Sequence, residues 1–258
     1  MIIKKIEMNG FNGREEELER IKRYIHPITR VMFYRTNNLI HSRRVLWHLE
    51  KAIDDILDVF PGFDVEFTRT LALVHDDVEI ITGDVKLHDK EHMSPEELEE
   101  LTRREMEAIS ILVDRYSRFA NGYGYESLLL TAKNKDRLES QTVSFFDKFD
   151  AGGEAWHEVC AGNRMFLRPA GGLVGEGGYV RRLMEFPDKY PNLIAFFSRF
   201  PDYLPKPFDF ASLADKGRLH TKESLEEDSG YAPYERWKKT IMQREEVELM
   251  TTQVEYDN

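Results

Sequence analysis

Residues 71–84, LALVHDDVEIITGD, carry an apolar run into His75, Asp76 and Asp77, with Glu79 and Asp84 close behind. An ionised carboxylate in an apolar helix is costly unless a cation or hydrogen-bond donors compensate it, so the adjacent pair His75-Asp76 marks a candidate site. Imidazole together with carboxylate suits a divalent transition cation such as manganese, iron, cobalt, nickel or zinc. His41 and an aspartate of FFDKFD, either Asp147 or Asp150, would complete the set from two other helices. Two histidines and two aspartates leave positions on a six-coordinate ion for a water and a substrate oxygen, which metal-assisted hydrolysis requires. The other histidines, His48, His88, His92, His157 and His220, read as hydrogen-bonded core or as surface.

Helices must aim these groups. Leu18, Ile21 and Ile25 recur at helical spacing from Glu15 to Ile25, ahead of His26-Pro27. A second helix is predicted over 38–60, with an apolar stripe that ends at Pro61-Gly62. A third is predicted from Val65 to Ile81, with TLALV at its centre and Thr82-Gly83 as its break. On one continuous helix Glu79 would project from the same side as His75 and Asp76. Ser94-Pro95-Glu96-Glu97 forms a capping box with proline at the first helical position and starts a helix to about Phe119. NGYG at 121–124 is a turn, a short helix follows to Leu130, and apolar spacing marks another over 137–160. AGGLVGEGG reads as a loop and Tyr179 to Phe200 as a further helix. Strand signals are almost absent, so the expected fold is all-α, with a helical domain over 1–200 and a C-terminal extension over 201–258.

The chain has 258 residues, 41% hydrophobic and 32% charged, enough to bury a sizeable core. A formal net charge of −11 argues against nucleic acid as a partner, because such binding draws its affinity from lysine and arginine on phosphates. Apolar runs are interrupted by charge well before the roughly 18 residues that a membrane helix needs, so no membrane partner is expected. MIIKKIEMNG lacks the features of a secretory signal, and the single cysteine, Cys160, fits a reducing compartment; the cytoplasm is the expected location.

HDDVEIITGD resembles the HD-domain phosphohydrolase superfamily, and within it the 5′-deoxynucleotidase branch, whose pattern is H, then HDxxExxTGD, then a distant D. His41, His75, Asp76, Glu79, Thr82, Gly83 and Asp84 fall on that pattern at its intervals. The resemblance covers roughly residues 15–165 and implies an HD-domain helical bundle. In the family the last aspartate stands sixteen residues before the asparagine of an AGN-like helix end, as Asp147 does before Asn163. The implied metal ligands are therefore His41, His75, Asp76 and Asp147, with Asp150 kept as the alternative to Asp147. The resemblance further implies that Glu79 acts as general acid or base, assisted by Asp84. Arg30 and Arg35 stand where the family places phosphate-binding arginines, and Arg35-Thr36 with Asn38 matches its R-T-x-N stretch. The spacing from that stretch to His41 is one residue shorter than in the family, and Ile40 replaces its acidic residue. Asp77, Arg43 and Arg44 have no matching role and read as surface charges.

These residues lead to a metal-dependent phosphohydrolase acting on a nucleotide, most economically a 5′-(deoxy)nucleoside monophosphate. Its cofactor would be a divalent ion (Mn, Co, Fe, Ni, Zn or Mg), and relatives suggest a homodimer. The same superfamily contains dNTP triphosphohydrolases and alarmone hydrolases. A non-catalytic nucleotide- or metal-binding scaffold that recruits a partner is the contrasting reading.

Overall fold

A computed structural model of the protein describes residues 5–24, 36–85, 90, 92–168, 172–174, 177–206, 211 and 232–242. The fold is all-α, an HD-type bundle accompanied by one two-stranded hairpin. Its first helix, α1 (Arg14–Arg20), ends earlier than the spacing predicts. The longer α2 (Asn38–Val59) is capped by Asn37, whose side chain accepts the Ile40 N–H at 3.0 Å. Asp64 caps α3 (Val65–Val74) in the same way through the Phe67 N–H. After a short α4 (Glu79–Thr82), α5 (Pro95–Arg115) starts from the expected box of Ser94 and Glu97.

Strands β1 (Phe119–Ala120) and β2 (Tyr123–Gly124) pair antiparallel across Asn121-Gly122. Both loop residues have positive φ, 51° and 83°, the conformation that an Asn-Gly hairpin loop favours. The chain continues into α6 (Tyr125–Asn134) and α7 (Leu138–Cys160). Where one helix is predicted to span Tyr179 to Phe200, the structure has three: α8 (Tyr179–Met184), α9 (Phe186–Lys189) and α10 (Ile194–Arg199). Pro187 and Pro191 lack the N–H that a continuous ladder needs, which accounts for the divisions. The last described helix is α11 (Ala232–Met242).

The centre of the molecule is α7, which packs against α2, α3, α6, α8 and α11. Phe145 meets Phe186 and Phe197 at ring-centroid separations of 5.3 and 4.9 Å, and Phe196 and Tyr203 extend the aromatic cluster. Cys160 is buried at the end of α7. On the opposite side Trp237 of α11 lies on bare backbone: a Cβ added at Gly153 would come within 2.1 Å of the indole Cδ1. Among the described residues no helix is long and apolar enough to cross a membrane.

Two departures from the sequence reading bear on the site. The predicted helix from Val65 to Ile81 stops at Val74, because side chains take the carbonyls that would continue it. His75 Nδ1 lies 2.8 Å from the Ala72 carbonyl, and Arg14 Nη2 donates to the Leu73 carbonyl at 2.5 Å. The chain then tightens into bonds three residues apart, including Glu79 N–H to the Asp76 carbonyl at 3.0 Å, before Gly83 closes α4 at φ 71°. Glu79 is therefore placed by this turn and by α4, not by a continuation of α3.

The second departure concerns charge. Asp77, expected at the surface, is fully buried: Arg14 donates to both its oxygens, at 2.7 and 2.6 Å, and the Tyr125 hydroxyl donates at 2.8 Å. That pair fastens α1 to the turn after α3. Arg44, also expected at the surface, is fully buried and pairs with Asp150 at 2.9 Å and Glu154 at 3.1 Å. Both charges are inside because each has a partner distant in sequence that removes most of the desolvation penalty. Arg43 does lie at the rim, 3.1 Å from Glu15.

Candidate functional site

His41 in the second turn of α2, His75 just beyond α3 and Asp147 in α7 bring one ligand atom each into a group whose members lie within 4.8 Å of one another. The two imidazole centroids are 5.6 Å apart. His41 Nε2 is 3.2 Å from Asp147 Oδ1 and 3.6 Å from Asp76 Oδ2. Asp76 also approaches His75, its Oδ1 3.4 Å from Nε2. Three elements thus bring two imidazoles and the Asp147 carboxylate together, and Asp76 lies beside both imidazoles without joining that group.

Each imidazole is held by its far nitrogen. His75 Nδ1 donates to the Ala72 carbonyl, which leaves Nε2 as the lone-pair nitrogen; that atom is buried and has no hydrogen-bond partner among the described residues. His41 Nδ1 donates to Asp150 Oδ2 at 2.7 Å, so its Nε2 likewise faces the carboxylates. An orphaned imidazole nitrogen among acceptor-only groups is an unfavourable arrangement by itself and the expected one for a cation site, where supporting hydrogen bonds set the tautomer. The donor set fits a divalent transition cation.

Asp150 is used differently. It is fully buried, and its two oxygens accept from His41, from Arg44 Nε and Nη2 at 3.1 and 2.9 Å, from His48 at 3.3 Å and from Trp237 Nε1 at 3.0 Å. Burial opposes its charge, but Arg44 and the two histidines hold its carboxyl well below the usual range. With both oxygens engaged, it supports His41 rather than facing the group. Asp147 is more open, and it too ionises well below the usual range: burial opposes the charge, while contact with Lys148 Nζ and with His41 favours it.

Glu79 stands apart. Burial, then the negative charges of Asp76 and Asp84, pushes its carboxyl well above the ordinary range, while Asn38 Nδ2 donates to its Oε2 and works the other way. A carboxyl raised in this way holds its proton more readily than a free one, which suits an acid. Asp84, half-buried just after Gly83, acts on it through charge. Arg30 and Arg35 lie outside the described residues.

Three further residues escape the motif. Asn38, read only as part of the R-T-x-N stretch, holds Glu79. Arg23 pairs with Glu154 at 3.5 Å, and its charge reaches both His41 and Glu79. Lys148 stands against Asp147. The placement of Asn38 at the start of α2 beside His41 was available from spacing; nothing local distinguished Arg23 or Lys148 from surface cations.

A solved structure of a conserved hypothetical protein from Pyrococcus furiosus is similar at 23% identity, over 56% of this chain and 78% of that one, with a TM-score of 0.42. No curated protein matches the chain significantly. The 5′-deoxynucleotidase YfbR-like family matches residues 18–173, a span that holds α2, α3, α4 and α7 and every group of the site described above except Trp237. This chain belongs to the YfbR-like 5′-deoxynucleotidase family of HD-domain proteins.

Proposed function

We propose that the protein is a metal-dependent phosphohydrolase that releases phosphate from a 5′-(deoxy)nucleoside monophosphate. The observation that carries this reading is the buried Nε2 of His75, which has no hydrogen bond among the described residues and is grouped with His41 and Asp147 within 4.8 Å. His41, His75, Asp76 and Asp147 would hold a divalent cation, which when bound supplies Lewis-acid charge and lowers the pKa of a water towards about 7. Asp150 supports this division of labour, since its oxygens are already committed to five donors.

Glu79 supplies a proton. Asn38 donates to Oε2, so the other oxygen carries the proton that Asp76 and Asp84 help to retain. That proton goes to the leaving 5′ oxygen as the bond from phosphorus to it breaks and a water oxygen bonds to phosphorus; the nucleoside then departs as a neutral alcohol. Arg30 and Arg35 are proposed to grip the non-bridging oxygens bidentately, and the buried charge of Arg23, which acts on His41 and Glu79, adds positive potential. The single buried thiol of Cys160 fits a cytoplasmic setting.

The test is phosphate release from a panel of ribo- and deoxynucleoside mono-, di- and triphosphates with Mn²⁺ or Co²⁺, with the leaving group identified. Inorganic phosphate from a monophosphate is the expected product, lost in Glu79→Ala with metal content retained. Release of pyrophosphate or triphosphate would move the assignment to another reaction of the superfamily, and inactivity on the whole panel would overturn the reading.

A further inference from the structure

We propose that Trp237, from a helix beyond the family-matched span, is a positioning residue for the site: its indole N–H holds Asp150 in the orientation that aims His41. The proposal rests on the cation reading above and concerns how the ligand set is kept in place.

Asp150 can orient His41 only if its own carboxylate is fixed. Its Oδ2 is gripped by His41 and Arg44, whereas among the described residues its Oδ1 has His48 at 3.3 Å and Trp237 at 3.0 Å. His48 is the weaker anchor, because its contact is the longer of the two. Trp237 is the better one. An indole nitrogen donates and never accepts, so it fixes Oδ1 as an acceptor and with it the plane of the carboxylate. With that plane fixed, Oδ2 accepts from His41 Nδ1 and the ring is turned so that Nε2 faces Asp147 and Asp76.

The indole itself has little freedom. It is fully buried and rests where Gly153 has no side chain, with Tyr234 stacked at 5.9 Å and the Arg44 guanidinium 5.8 Å from its ring centroid. A rigid donor brought in by α11 thus completes a chain of contacts from the C-terminal helix through Asp150 to His41. The span matched by the family, 18–173, ends before α11, so this support is a feature of this chain outside the matched core.

Trp237→Phe in the full chain removes the N–H and keeps a ring. Its Co²⁺ affinity, measured by chelator competition, should fall about tenfold, the lower end of what loss of a supporting hydrogen bond costs a metal site. The Co²⁺ d–d absorption should change with it. Ile241→Ala, which loosens the same buried face of α11 without touching a donor, should leave the d–d spectrum as in the wild type. A measurement without substitution accompanies these: in the ¹⁵N-labelled wild-type chain the Trp237 indole resonance should move on saturation with Zn²⁺, and that of Trp47 should not. Unchanged Co²⁺ affinity and spectrum in Trp237→Phe, or a Trp237 resonance indifferent to Zn²⁺, overturns the positioning role while leaving the cation site standing. A wild-type chain that takes up neither Co²⁺ nor Zn²⁺ overturns both.

Discussion

Asp150→Asn separates support of the site from ligation. The change keeps the shape of the side chain, deletes its charge and turns one oxygen into an NH₂ donor. All of its neighbours donate: His41 and Arg44 to Oδ2, His48 and Trp237 to Oδ1. Arg44 and Trp237 can only donate, whereas an imidazole can present an acceptor nitrogen, and an NH₂ on the His41 side would also face the Arg44 guanidinium. The least costly rotamer therefore turns the NH₂ towards His48 and strands the Trp237 N–H, at about 1–3 kcal/mol for an unsatisfied buried donor. Arg44 also loses the carboxylate that takes two of its N–H groups. Breaking a buried pair by removing one partner costs about 3–5 kcal/mol, and Glu154, still beside Arg44, brings this towards the lower end. The two effects overlap, and about 4 kcal/mol in total corresponds to a fall in Tm of roughly 8–16 °C for a chain of this size.

The assay is thermal unfolding of metal-free protein followed by far-UV circular dichroism at pH 7 and at lower pH. A carboxyl whose folded pKa is depressed contributes stability above its unfolded pKa, about 3.9, and that stability is lost as pH falls through the folded value. The gap between wild type and variant should be full at neutral pH and should narrow only on acidification below about pH 4. A Tm within about 2 °C of wild type at pH 7 would refute the claim that Asp150 is the hub of this buried network. Asp147→Asn makes the contrast: it loses the Lys148 and His41 contacts that favour its charge, so some stability should go at neutral pH, but the fall should be accompanied by loss of cation uptake.

Asp77→Ala leaves Arg14 buried without its partner and the Tyr125 hydroxyl without its acceptor; urea unfolding should show a loss of about 3–5 kcal/mol, with activity falling because the turn that carries His75, Asp76 and Glu79 is released. Glu79→Gln should stabilise the metal-free protein at neutral pH. A raised folded pKa means that the stability Glu79 contributes is fully present below its unfolded value of about 4.3 and is lost as pH rises through the folded value, so the advantage of the variant should grow with pH and vanish near pH 4 in the same melting series. Gly153→Ala drives a methyl group into the Trp237 indole and should cost about 1–3 kcal/mol in chemical denaturation, with exposure of tryptophan fluorescence; an unperturbed variant would show that α11 does not rest on α7 as described.

Much of the scaffold was legible because its signals are local. Asn37, Asp64 and Ser94 cap helices whose starts can be read within a few residues, and Asn121-Gly122 marks a turn, which the structure closes into a hairpin. The spacing of His41, HDDVEIITGD and the FFDKFD aspartates likewise anticipates groups that the fold gathers from separate helices. The end of α3 was not legible in this way. Its periodicity runs on past Val74, but Arg14, distant in sequence, takes the Leu73 carbonyl and turns the chain.

The sequence by itself determined the helical class, most helix starts and the candidate chemistry, since caps, breakers and motif intervals act over a turn or two of chain. Only the tertiary structure decided which charges lie inside. Asp77 and Arg44 resemble solvated surface groups until Arg14 and Asp150 are seen against them, and Asp147 and Asp150 differ only in what surrounds them. A charge can be buried only where a partner is waiting, and a partner far along the chain leaves no mark on the residues next to it.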